Sequence, residues 1–106
     1  MIDAGRLKTR LMIEAPVELE DGQGGVSRSY APQATLWAAV MPIAARRDVE
    51  ADADGASVRV RVVLRGGVAL SLQHRLRDGA RLYRIVSFRD IDDGRFVEIE
   101  AEWRID

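Results

Sequence analysis

Val58-Arg59-Val60-Arg61-Val62-Val63-Leu64-Arg65 is the stretch whose reading decides the fold. Val58, Val60, Val62 and Leu64 recur with a period of two, and Arg59, Arg61 and Arg65 fall between them. Successive side chains on a strand point to opposite faces, so this pattern predicts a strand with one apolar and one basic face. Valine suits the place, because β-branched side chains pack well on a pleated surface. A lone strand would leave bare edges and an uncovered apolar face. The rest of the chain has to supply partner strands and a second layer.

The totals narrow the class. A chain of 106 residues is expected to form one domain, residues 1–106, and 47% hydrophobic content is enough for a packed core. Charged residues make up 31%, yet the net charge is only −1, which argues against gripping nucleic acid by bulk charge. There is no cysteine, so disulfides and thiolate metal sites are excluded. No apolar run has the length of a membrane-spanning helix, and the opening Met1-Ile2-Asp3-Ala4-Gly5 lacks the features of a secretion signal. The expectation is a protein that stays in the cytoplasm until it meets a partner. Every basic residue except Lys8 is arginine, whose forked guanidinium suits interfaces with carboxylates. A GC-rich genome explains that bias equally well.

Outward from the central strand, alternation predicts further strands over residues 7–14, 35–41, 81–89 and 96–103, with a short return strand over 26–30. Pro16 is expected to end the first or sit at its edge, Pro32 to break the second, and Pro42 to close the third. Asp21-Gly22, Gly24-Gly25, Gly66-Gly67, Leu76-Arg77-Asp78-Gly79 and Asp90 to Gly94 read as turns. Residues 68–75 read as a short helix or an irregular connection. Trp37 is expected in the core or as an interface anchor. Tyr83, Ile85 and Ser87 alternate with Leu82, Arg84, Val86 and Phe88, so this strand is expected to be covered on both faces. Val97, Ile99, Ala101 and Trp103 alternate cleanly with Glu98, Glu100 and Glu102. The fold class is therefore mainly β: a small antiparallel barrel or sandwich of short strands. Residues 43–57 stand apart as a long charged connection carrying Arg46, Arg47, Asp48, Glu50, Asp52 and Asp54, and such loops in small domains are often functional.

Candidate chemistry thins out under inspection. His74, the lone histidine, has Ser71 three residues before it but no nucleophile-elbow motif, so a connecting role is the expectation. Asp90-Ile91-Asp92-Asp93-Gly94 starts like a calcium loop, yet the twelfth position is Ala101, and a hairpin turn accounts for the residues better. Gly22-Gln23-Gly24-Gly25 lacks the Lys-Ser/Thr of a phosphate loop. No catalytic, cofactor or metal site is expected. The arginine row Arg59, Arg61, Arg65 and the glutamate row Glu98, Glu100, Glu102 have three readings: pairing on neighbouring strands, meeting a neighbouring subunit or partner, or a solvated surface.

The order of these features resembles the phage head–tail joining (head-closure, or stopper) family. Gly5-Arg6-Leu7 with Arg10-Leu11-Met12-Ile13-Glu14-Ala15-Pro16 is similar to that family's opening strand. Asp21-Gly22-Gln23-Gly24-Gly25-Val26 is similar to its hairpin tip, and Thr35-Leu36-Trp37-Ala38-Ala39-Val40-Met41-Pro42 to its Thr-x-Trp-Ala-x-Val-x-Pro strand. Arg46 sits where the family often has an arginine, and Leu76 to Ile85 resembles its Arg-x-x-x-Gly-x-x-Tyr-x-Ile element. The family's usual Thr or Pro before the Arg77 region is replaced here by Ser71-Leu72-Gln73-His74. The Ala- and Arg-rich composition also fits a gene transfer agent particle.

The resemblance implies a small β-barrel that assembles as a homo-oligomeric ring in the neck of a virion or phage-like particle. A hexamer is the expected ring, a dodecamer the alternative. One side would meet the adaptor and portal, the other the tail terminator or tail tube. DNA would pass through the channel without sequence-specific binding, and no membrane or cofactor is involved. A tail-terminator or other tail-tube ring protein is the rival reading. By the same resemblance, residues 43–57 project into the channel as the plug. There Asp48, Glu50, Asp52 and Asp54 would face DNA, and Arg46 and Arg47 would brace the loop against a neighbour's acids.

Overall fold

The computed structural model describes residues 4–46 and 56–105. After a 3-10 turn at Ala4–Arg6 come six strands: β1 (Thr9–Glu20), β2 (Val26–Arg46), β3 (Ala56–Arg65), β4 (Arg75–Asp78), β5 (Arg81–Ile91) and β6 (Phe96–Ile105). Every pairing is antiparallel, and the order β1-β2-β3-β6-β5-β4 closes on itself. Closure rests on three residue pairs between β1 and β4, Met12↔Arg77, Ile13↔Leu76 and Glu14↔Arg75.

The period-two positions fill the interior. Val60, Val62 and Leu64 of β3 bury with Val97, Ile99 and Ala101 of β6, and Leu11, Ile13, Ala38, Leu76, Tyr83 and Ile85 complete the core. Their cross-strand register is Val60↔Ala101, Val62↔Ile99 and Leu64↔Val97, so matched side chains meet on one face. Val63 points the other way, and Leu7 and Phe96 bury it in a small second cluster.

Several expectations are corrected. Pro16 does not end β1, which runs through it, but sits where β1 has no second neighbour among the described residues, the other of its two readings. Pro32 and Pro42 end nothing, since β2 runs unbroken from Val26 to Arg46 through both. Both β2 prolines sit beside register shifts. Glu14 faces Pro32 while Ile13 faces Ala34, and Val60 faces Pro42 while Arg59 faces Ala44. Gln33 and Ile43 are the extra residues of two bulges, where a strand tolerates a missing N–H. Leu76 and Arg77 lie in β4 rather than a turn, and the turn proper is Gly79-Ala80. Residues 66–74 form an irregular connection, one of the two readings left open. Trp37 is 52% exposed, so it is no core residue. Nor is β5 covered on both faces, since Leu82 and Phe88 are exposed while Tyr83 and Ile85 are buried.

A candidate assembly surface

Outside the barrel the two charged rows meet. β3 and β6 are neighbours in register Arg61↔Glu100 and Arg59↔Glu102, so the arginines and glutamates share the outer face. Glu98 lies between Arg61 at 3.6 Å and Arg89 at 3.3 Å. Glu102 lies between Arg59 at 3.8 Å and Arg84 at 3.5 Å, and Glu100 is 3.7 Å from Arg59. Of the three readings, pairing on neighbouring strands is the one this geometry realises within the chain. Arg84 and Arg89, from β5, extend the ladder beyond the residues named from sequence. Such half-exposed pairs contribute roughly 0–1 kcal/mol each. Arg65, opposite Phe96 at the strand end, has no ion pair among the described residues.

Arg46 is the last residue of β2 and pairs with Ser57 across the start of β3. β2 therefore runs four residues into the expected 43–57 connection, and β3 begins at Ala56. Arg47, Asp48, Glu50, Asp52 and Asp54 lie outside the described residues.

A buried network escaped the sequence reading. Glu14 is only 6% exposed. Arg75 Nε donates to its Oε1 at 2.5 Å and Arg77 Nε to its Oε2 at 3.0 Å. Burial alone would raise the Glu14 pKa, but the two guanidinium hydrogen bonds outweigh it and hold the carboxyl below its ordinary 4.5. Arg75 also stacks over Tyr30, its Cζ 3.9 Å from the ring centroid. The network thus ties β4 to β1 at the closure seam and reaches across to β2. Arg75 and Arg77 stand two apart, as strand neighbours on one face must, but reading Leu76 to Gly79 as a turn hid that spacing.

His74 braces the connection. The Ser71 amide donates to His74 Nδ1 at 3.1 Å, which assigns the proton to Nε2, and Nε2 donates to Gln33 Oε1 at 3.0 Å. Gln33 Nε2 in turn donates to the Ala69 carbonyl at 2.9 Å. The bulge residue of β2 therefore staples residues 69–74, and the Ser71–His74 contact at 2.8 Å is part of that staple.

The β1–β2 hairpin runs past the barrel. At its tip Asp21 Oδ1 accepts from the Gln23 amide at 2.8 Å and the Gly25 amide at 3.0 Å, which holds the Asp21 carboxyl below its usual range. Gly22 and Gly24 take positive φ there, as glycine does freely. Exposed large apolar side chains stud the surface: Leu19 and Val26 on this hairpin, Trp37 beneath Arg10, and Met41, Ile43 and Phe88 beside the charged ladder. Among the described residues no cluster of acidic or histidine side chains could hold a metal ion.

The family model for phage head completion proteins matches residues 2–104. A chain in the solved virion of a native gene transfer agent particle is 28% identical with a TM-score of 0.79, over 94% of this chain and 96% of that one. The solution structure of protein SF1141 from Shigella flexneri 2a is 20% identical with a TM-score of 0.72, each chain covered over 96%, and shares the fold. No curated protein matches at a significant level.

Proposed function

Because the chain belongs to the phage head completion protein family, and is thus a structural head protein rather than an enzyme, we propose that it acts as the stopper of a head–tail connector. In this reading, copies form a ring between the portal-adaptor and the tail, in the neck of a phage-like particle of the gene transfer agent type. Residues 47–55 cross the channel and hold the packaged DNA by blocking its passage.

Strand polarity carries the reading. In an antiparallel barrel consecutive strands run in opposite directions, so the two ends of β2 lie at opposite ends of the molecule. The Asp21–Gly25 tip leaves one end, and residues 47–55 join β2 to β3 at the other. A ring of such subunits has two different faces, as a protein joining two unlike neighbours requires. The charged ladder and the exposed Trp37, Met41, Ile43 and Phe88 supply lateral surface for neighbouring copies. Arg59, Arg61, Arg65, Glu98, Glu100 and Glu102 stay in this proposal as that surface, though all but Arg65 are already paired within the chain.

The test is deletion of the gene in its host, followed by electron microscopy of the particles. Tailless heads that have lost their DNA are the expected result. Full heads with normal tails would overturn the proposal, and full heads with tails of uncontrolled length would point instead to a tail terminator.

A further inference from the structure

One ribbon of the sheet extends beyond the closed barrel, and both of its outer edges are unpaired among the described residues. Residues 15–20 of β1 and 26–31 of β2 pair with each other, from Ala15↔Ala31 to Glu20↔Val26, and with no other strand among the described residues. A two-stranded ribbon is marginal by itself, and each of its edges presents unpaired amide and carbonyl groups. Its base is held firmly. Glu14 with Arg75 and Arg77, Tyr30 under Arg75, and the Gln33 staple all lie where the ribbon leaves the barrel.

The two edges differ in a useful way. Bonded and non-bonded pairs alternate along an antiparallel pair. At the tip the Asp21 amide donates to the Gly25 carbonyl at 3.0 Å. Counting back in twos makes 19/27, 17/29 and 15/31 the bonded pairs. The backbone groups of Glu18 and Glu20 then point outward from one edge, and those of Val26, Arg28 and Tyr30 from the other. Pro16 falls in the outward set, where its missing N–H leaves the ribbon intact.

Side-chain charge follows the same division. Arg28 Nη2 donates to Glu18 Oε1 at 3.0 Å across the ribbon. The β1 edge is acidic through Glu18 and Glu20, and the β2 edge carries Arg28. Leu19 and Val26, 56% and 63% exposed, lie on opposite faces near the tip.

We propose that the β2 edge of this arm pairs with the β1 edge of the arm on a second copy, so that successive arms join into one continuous β collar. The contact uses two different edges of the same element, which makes it heterologous and able to close into a ring. Strand direction fits, because β2 beside a neighbour's β1 is again antiparallel. Charge fits, because Arg28 of one copy falls beside Glu18 or Glu20 of the next and continues the Glu18–Arg28 row. The collar forms at the end of the barrel opposite residues 47–55. The inference rests on the ring of the preceding subsection and names its fastening.

The chain has no cysteine, so engineered thiols report cleanly. In a deletion host, Glu18→Cys and Arg28→Cys copies are expressed singly and together, and purified particles are run on a non-reducing gel. A disulfide-linked dimer that appears only on co-expression is the expected result. Both variants present in particles but unlinked would overturn the collar while leaving the ring standing. Wild-type protein absent from purified particles would overturn both readings.

A charge test keeps the ribbon's own Glu18–Arg28 pair apart from the contact between arms. Arg28→Glu or Glu18→Arg alone is expected to lower incorporation into particles at least tenfold, and the two together to restore it, because each copy then meets its opposite. Unfolding midpoints of the purified variants separate loss of fold from loss of assembly. Single variants that fold and assemble like wild type would sink the collar, and variants that fold yet are not rescued together would assign the arm to a different partner.

Discussion

Glu14 shows how one side chain can hold a barrel shut. The seam between β1 and β4 has three residue pairs, and Glu14 takes a hydrogen bond from each of two β4 arginines there. Replacing it with alanine removes a buried acceptor, while Arg75 and Arg77 can still reach water. The expected loss is about 1–3 kcal/mol, read by urea unfolding. The pH dependence has a definite sign. Since the folded pKa lies below the ordinary 4.5, the contribution is complete above that value and is lost as pH falls through the folded pKa. Glu14→Gln should therefore flatten the fall in stability below pH 4.5, measured as the difference in unfolding free energy between the two proteins across that range. Gly66 illustrates a different constraint. Its amide donates to the Arg95 carbonyl at 2.7 Å, and a Cβ placed on it would lie 2.0 Å from the Gly94 carbonyl oxygen. Backbone cannot yield as a flexible side chain does. Gly66→Ala is expected to cost at least about 1–3 kcal/mol, visible as a lowered unfolding midpoint.

Among the elements, β2 is the one whose behaviour departs furthest from a simple strand. It pairs with β1 over its first half and with β3 over its second, and bulges at Gln33 and Ile43 let it turn the corner between them. Gln33 has a second task, since it hydrogen-bonds Ala69 and His74 on the β3–β4 connection. Gln33→Ala should cost about 1 kcal/mol. Its clearer mark would be faster amide hydrogen exchange in residues 66–74 with the core strands unchanged, and equal protection there would show that the staple is dispensable. These features explain what could be read from sequence. β3 and β6 were legible because Val60, Val62, Leu64 and Val97, Ile99, Ala101 alternate against charge without interruption. β2 was not, because Pro32 and Pro42 are strand breakers except at bulges, and a bulge has no sequence mark of its own. β4 was hidden by its four residues and by the Asp78-Gly79 turn signal that follows. The charged rows stand out in the sequence, but Glu14 does not, because its partners Arg75 and Arg77 fall one in a stretch that reads as a short helix or irregular connection and the other in a turn signal.

At the scale of the molecule, charge is divided unevenly. The chain carries −1 overall, yet the described residues hold fifteen basic and eleven acidic side chains, and residues 47–55 hold Arg47 against Asp48, Glu50, Asp52 and Asp54. A basic barrel thus carries an acidic connection at one end. Removing that connection separates two roles. Arg46 pairs with Ser57, so a short Gly-Ser turn in place of residues 47–55 would rejoin strands that are already neighbours. Loop-closure entropy changes slowly with length, so stability should move by no more than about 1 kcal/mol, toward the stable side. Particles built with the shortened chain are expected to assemble heads and attach tails, because the barrel faces and the β1–β2 arm are untouched. They should lose their DNA, scored as empty heads by electron microscopy and as packaged DNA per particle. The loss should not be repaired by putting the acids back on an unrelated surface loop, since the role proposed for the segment is steric. If shortened particles keep their DNA as well as wild type, residues 47–55 are not the plug. If they fail to attach tails although the protein folds, the segment belongs to a docking face, and the ring would have to be turned end over end.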